Sequence, residues 1–251
     1  MNALKIYLQP ASLRMLALGF SAGLPLLLVL GTLSFWLREA GVSRATIGHL
    51  SWVGLAYGFK WVWAPLVDRV TLPLLGRLGR RRSWLLLAQM GVMAGLVGMA
   101  LSDPKESLNV IVWCALLVAF SSATQDIALD AFRIESADTS MQAALAASYQ
   151  TGYRLAMIWA GAGVLWIAAR AEVANSANYD HAAWSMAYSA MVLSMLVGVL
   201  TVIFSKEPAT LQVITRAKNL REWLQVALIN PFADFCQRYG WQAFLILALI
   251  A

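Results

Sequence analysis

Four charged side chains stand inside long apolar runs: Lys60, Arg154, Asp126 and Asp130. An ion within a bilayer costs roughly 2.5 to 3.5 kcal/mol on insertion scales, so each needs a partner or a wetted cavity. Lys60 lies about ten to thirteen residues into its run and Arg154 about eleven into its own, roughly 15 to 20 Å deep at 1.5 Å per residue. Cations at that depth suit receipt of an anionic group in a central cavity; the alternative is a structural ion pair with a carboxylate on a neighbouring helix. With Trp61, Gln125 and Tyr153 beside them they form the candidate substrate-binding set. Asp126 and Asp130 are four residues apart and share a helix face, which Arg133 continues one turn later. Two carboxylates one turn apart repel when both are charged, so binding and releasing a proton is the chemistry this spacing suits. Their depth is open from sequence alone. Counted from Leu108, Asp126 falls about 27 Å along its helix, near a boundary where it is merely hydrated; the polar run of Ser121, Ser122, Thr124 and Gln125 argues instead for a wetted surface.

A second chemistry fits the same two residues. Membrane prenyl- and phosphotransferases hold Mg²⁺ and a pyrophosphate with an Asp-x-x-x-Asp pair, but they need further acidic ligands at related spacing, and no second such pair occurs. His49 and His181 have no Cys or His partner at metal spacing, and Cys114 and Cys236 offer neither a disulfide framework nor a metal set. No metal or other cofactor is expected, and the chain reads as a non-enzyme.

The elements that hold these residues follow from composition. Of 251 residues, 60% are hydrophobic and only 13% charged, with a mean hydropathy of +0.66. A soluble domain carries about a quarter charged residues. The net charge of +6 does not point to nucleic acid, because the basic residues sit beside apolar runs, as juxtamembrane charges do. Runs of bilayer-crossing length lie near residues 15 to 37, 47 to 67, 84 to 102, 108 to 130, 143 to 169 and 183 to 204, which predicts six helical spans. Lys and Arg crowd one set of connecting segments, above all Arg69 to Arg82 and Lys206 to Arg221, while the other holds only Arg38, Arg44, Lys105 and Arg170. That asymmetry places both ends of the six-span unit in the cytoplasm. Residues 1–206 are thus read as the bundle. In 207–240, Leu220, Trp223, Leu224, Ala227 and Leu228 recur at helical spacing against Arg216, Lys218, Arg221 and Glu222, an amphipathic linker helix. Residues 241–251 read as the start of a seventh span.

Gly19, Gly23, Gly31, Gly152, Gly161 and Gly163 allow close helix approach. Gly23, Leu24 and Pro25 together are expected to break the first span and free carbonyls toward a cavity. Trp36, Trp84, Trp113 and Trp184 are expected to anchor in the interfacial belt; only Trp61 and Trp63 invite more than that.

Two resemblances add to this reading. Asp68 and Arg69, followed by Gly76, Arg77, Gly79, Arg80, Arg81 and Arg82, resemble the conserved loop of the major facilitator superfamily, although that loop is usually shorter. The resemblance implies a gate in which Asp68, Arg69, Arg80 and Arg81 lock helix ends together in one conformer. Gly23-Leu24-Pro25, Gly31-Thr32-Leu33, Ile47-Gly48 and Phe59-Lys60 through Trp63, Pro65, Asp68 and Arg69 resemble AmpG-type anhydromuropeptide permeases. So do Ser122 to Asp126 with Asp130, Gly152-Tyr153-Arg154-Leu155, and Asn230-Pro231-Phe232 with Asp234-Phe235. This likeness covers nearly the whole chain. It implies an all-α transmembrane fold, the N-terminal six-helix bundle of a major facilitator carrier, plus the linker and the beginning of the seventh helix. It further implies proton-driven import of anhydromuropeptides across a bacterial inner membrane for wall recycling, linked in that family to beta-lactamase induction. The expected partners are the muropeptide, protons, the bilayer and a C-terminal six-helix half; Asp126 and Asp130 carry over as proton-coupling candidates. Acetyl-CoA transporters share a similar Gln-Asp element in the fourth helix and stand as the alternative substrate class. A non-transporting half-gene product is the alternative of another kind.

Overall fold

The computed structural model describes residues 3–73, 75–172, 179–208, 225 and 229–240. The chain divides into two compact units, Met1–Ala209 and Thr210–Ala251. Among the described residues of the first, five helices are long and apolar enough to cross a membrane: Pro10–Glu39 (α1), Arg80–Leu101, Pro104–Glu135, Thr139–Ala171 and His181–Phe204. The second apolar run, near residues 47 to 67, does not form one such helix. It is split into Arg44–Leu50 (α2), Leu55–Phe59 (α3) and Ala64–Arg69 (α4), joined by tighter 3-10 turns at Ser51–Gly54 and Lys60–Val62. Gly48, Gly54 and Gly58 weaken helix propagation, and Pro65 has no N–H to give to the ladder, so the backbone relaxes to φ −93° at Phe59 and −105° at Trp63. The remaining long helices are α5 (Arg80–Leu101), α6 (Pro104–Glu135), α7 (Thr139–Ala171) and α8 (His181–Phe204).

Local chemistry sets the helix ends. Asp103 accepts from the Lys105 N–H at 2.9 Å with Pro104 at the first helical position, which turns α5 into α6 within two residues. Ser43 starts α2 by accepting from Thr46, and Asp180 starts α8 by accepting from Ala182.

Packing is tightest between α1 and α7. A Cβ on Gly19, Gly23 or Gly152 would collide with the backbone of Tyr149, Tyr153 or Leu16 respectively, so glycine is what lets these two helices touch main chain to main chain. The expected break at Gly23 to Pro25 is displaced. Pro25 lies inside regular helix, and the irregularity is a π turn at Leu28–Thr32, facing a second one at Trp159–Gly163 in α7. Two carbonyls at these turns are bound within the protein: Tyr188 donates to Leu28 O at 3.0 Å, and Thr32 donates to Ala160 O at 2.8 Å. Side-chain donors at the right height relieve the lost ladder bonds.

Three of the four tryptophans expected in the interfacial belt are core residues. Trp36, Trp84 and Trp184 are 0%, 8% and 2% exposed, against 71% for Trp113. An indole buries well once its N–H finds an acceptor, and each does: Trp36 donates to Tyr179 Oη, Trp84 to Val70 O, and Trp184 to Glu39. Trp36 also stacks on Trp184 at 5.8 Å. Tyr179, in the connection before α8, donates its own O–H to Asp103 at 3.1 Å; burial holds this phenol above its usual pKa and keeps it a donor.

In the second unit the described helix is α9 (Asn230–Tyr239), which carries an Asp234–Arg238 ion pair at 2.9 Å and ends at Gly240 with φ +73°. The positions expected to form the linker's amphipathic face, Arg216, Lys218, Leu220, Arg221, Glu222, Trp223, Leu224, Ala227 and Leu228, lie outside the described residues, as does the expected seventh-span start at 241–251.

Candidate functional site

The break after α3 brings Lys60 to α6. Its Nζ lies 3.7 Å from Asp126 Oδ2, with the lysine side chain 38% and the aspartate 14% exposed. Three residues on, Trp63 donates its indole N–H to Thr124 Oγ1 at 3.1 Å and packs its ring 5.2 Å from Phe120. Span two is therefore clasped to α6 at two points, one charged and one neutral. Two features of the sequence conspire here: the glycines and Pro65 loosen the second span, and the spacing of three sets Lys60 and Trp63 on one side of it.

Asp126 and Asp130 share a face of α6 but not a partner. Asp130, 54% exposed, pairs with Arg133 at 3.4 Å. Asp126 turns inward, and its Oδ1 is buried with no hydrogen-bond partner among the described residues. The phenols of Tyr149 and Tyr153 on α7 lie within the field of the Asp126 charge, and the two rings are 5.9 Å apart.

The substrate candidates separate. Gln125, expected to contact ligand, is fully buried, and its amide donates to Ser21 of α1 at 2.8 Å. Gln89 of α5 points at the same hydroxyl at 3.4 Å, and the side-chain oxygens of both glutamines are buried with no hydrogen-bond partner among the described residues. The reason is rotational: consecutive residues on a helix are about 100° apart, so Asp126 and Gln125 address different neighbours. Arg154 and Trp61 are exposed, Tyr153 is half-buried, and Arg154 places Nη1 3.8 Å from Met157 Sδ. The structure thus pairs Lys60 with Asp126 and leaves Arg154 without an ion pair among the described residues. No group of three His, Cys, Asp or Glu side chains able to hold a metal gathers among the described residues.

The arginine-rich loop residues form a compact ion lattice. Arg81 donates Nε and Nη2 to the two oxygens of Glu135 at 3.1 and 2.7 Å, a bidentate fork, and Nη1 to Asp68 at 2.7 Å. Arg80 reaches Glu135 at 3.5 Å. Glu207, just beyond α8, accepts from the backbone N–H groups of Arg81 and Arg82 at 2.8 and 3.1 Å, at the start of α5 where the helix dipole favours an anion. Arg82 donates to the carbonyls of Val202 and Ile203 at 3.0 and 2.8 Å. The lattice joins the ends of α4, α5, α6 and α8. Arg69 closes α4 beside Asp68 and is half-buried. Glu135, Glu207 and Arg82 were not among the sequence candidates; their signal was that Glu135 and Glu207 are acidic residues at the end of the bundle where Lys and Arg otherwise predominate. The lattice also fixes depth: Asp126 is nine residues before the end of α6, about 14 Å inward from Glu135.

Long apolar helices around a cation–carboxylate pair, with an ion lattice at one end, define a polytopic helical membrane protein. Residues 12–222 match the family described as acetyl-coenzyme A transporter 1, and the chain belongs to that family. It is 35% identical over 247 residues to the anhydromuropeptide permease of Escherichia coli, covering 98% of this chain and 46% of that protein. It is 31% identical over 238 residues to a candidate transporter of Rickettsia conorii, AmpG 4, covering 95% of this chain and 55% of that protein. The chain spans about half the length of the curated relatives it matches. The resemblance to AmpG-type permeases and the all-α transmembrane class both hold, and the protein is a multi-pass inner-membrane protein.

Proposed function

We propose that this chain forms the N-terminal half of a proton-coupled permease that brings anhydromuropeptides into the cytoplasm for wall recycling, with its N-terminus cytoplasmic and a second six-helix half completing the site. The same import is the step by which the family is linked to beta-lactamase induction. The Lys60–Asp126 pair carries the reading. A proton accepted by Asp126 cancels the carboxylate that holds Lys60, and the released ammonium is then available to an anionic group of the ligand. Proton entry and ligand binding are in this way coupled through one side chain. Arg154, Trp61 and Tyr153 supply a second cation and aromatic surface, and Asp130, paired to Arg133 nearer the lattice, is the second proton-handling group. Asp68, Arg69, Arg80 and Arg81, with Glu135, form the gate that holds one conformer. Similarity to the Escherichia coli permease supports the substrate class.

Uptake of labelled anhydromuropeptide into vesicles under an imposed proton gradient tests this, with the chain co-expressed with a C-terminal half. The expected result is gradient-driven uptake that Asp126→Asn abolishes while ligand exchange at equilibrium persists. No uptake by the intact pair under any gradient rejects the reading. The family description favours one second reading, acetyl-CoA as the transported anion, and labelled acetyl-CoA in the same vesicles discriminates the two.

A further inference from the structure

Between the first turns of α1 and the last turns of α8 runs a groove of about 350 Å³, walled by Pro10, Leu13, Ala17, Leu200 and Phe204 with Arg14 beside them. Its walls are open: Leu13, Leu200 and Phe204 are 49%, 51% and 83% exposed. Thr201 and Ser205 also line it, but each hydroxyl donates to a carbonyl of its own helix, so the groove presents hydrocarbon and charge with little neutral polarity between.

The charge is cationic. Arg14 uses Nε on the Pro10 carbonyl at 3.3 Å and makes no ion pair among the described residues. Lys206 is exposed immediately after the last wall residue. The carboxylates at this end are committed elsewhere, Glu207 to the start of α5 and Asp68 and Glu135 to Arg81. Gln9 provides no side-chain cap to α1, so the positive end of that helix adds to the same field.

We propose that this groove binds one anionic phospholipid, its acyl chain along Leu13, Ala17, Leu200 and Phe204 and its phosphate at Arg14 and Lys206. Two membrane-crossing helices end here, so what meets the groove is the boundary between hydrocarbon and headgroup. An apolar wall that terminates in cations with no ion pair among the described residues matches the two-part chemistry of a phospholipid, and the excess positive charge selects an anionic headgroup over a zwitterionic one. A soluble anion would make no use of the walls. The stretch of α8 that forms one wall is also the stretch whose carbonyls Arg82 holds, so a seated lipid braces the helix end that delivers Glu207 to the ion lattice.

The test is native mass spectrometry of the purified chain released from nanodiscs of equal phosphatidylglycerol and phosphatidylcholine. One phosphatidylglycerol is expected to be retained in preference to phosphatidylcholine. Arg14→Gln should lower its retention about fivefold, Leu200→Trp should remove it by filling the groove, and Arg77→Gln, basic but outside the groove, should leave it unchanged. Unaltered retention in both groove variants overturns the proposal. So does equal retention of the two lipids, and so does a wild-type chain that retains none because another segment of the protein fills the groove.

Discussion

Glu207 accepts from the backbone N–H of Arg81 at 2.8 Å, which sets a carboxylate from beyond α8 onto the first turn of α5. Two residues far apart in sequence thereby close one end of the bundle. The Glu207→Gln variant keeps an acceptor and loses the charge that the helix start favours. A loss of about 1 kcal/mol is expected, read as a lowered Tm of the purified chain in detergent, and Glu207→Ala should cost more.

The α1–α7 crossing predicts a contrast between glycines. Gly152→Ala forces a methyl against the Leu16 backbone, and a destabilisation of about 2 to 3 kcal/mol is expected. Gly48→Ala, in α2 with nothing within 4 Å of the added methyl, should be neutral or stabilising by about 0.5 kcal/mol. Thermal unfolding of the two variants side by side decides it.

Lys60 and Asp126 should show strong non-additivity. Either Lys60→Met or Asp126→Asn alone leaves the other group without its partner, while the double variant removes the pair. Single losses of about 1 to 3 kcal/mol are expected, discounted for the partial exposure of Lys60, with the double variant recovering much of it. A double-mutant cycle on Tm that closes additively would refute the coupling.

The neutral clasp is tested by Trp63→Phe, which keeps the ring against Phe120 and deletes the N–H that reaches Thr124. About 1 kcal/mol should be lost, and adding Thr124→Val should then cost little more, because the shared bond is already gone.

Much of this protein was written in its amino-acid order. Apolar runs of bilayer length fixed where five spans lie, because burial in lipid is a property of each segment alone. The strings around Gly23, Lys60, Asp126 and Arg154 carried the family. The glycines at 19, 23 and 152 announced a close crossing, since absence of a side chain can be read directly. What only the tertiary structure decided concerns partners. Lys60 came within reach of Asp126, Gln125 turned to Ser21, the Trp36 and Trp184 indoles went inward, and Glu207 found the start of α5. Each of these depends on which helix stands opposite and at what rotation and height, and a one-residue step turns a helical side chain by about 100°. Periodicity along one helix gives its faces but not the neighbour each face will meet, so the pairings appear only when the helices are assembled.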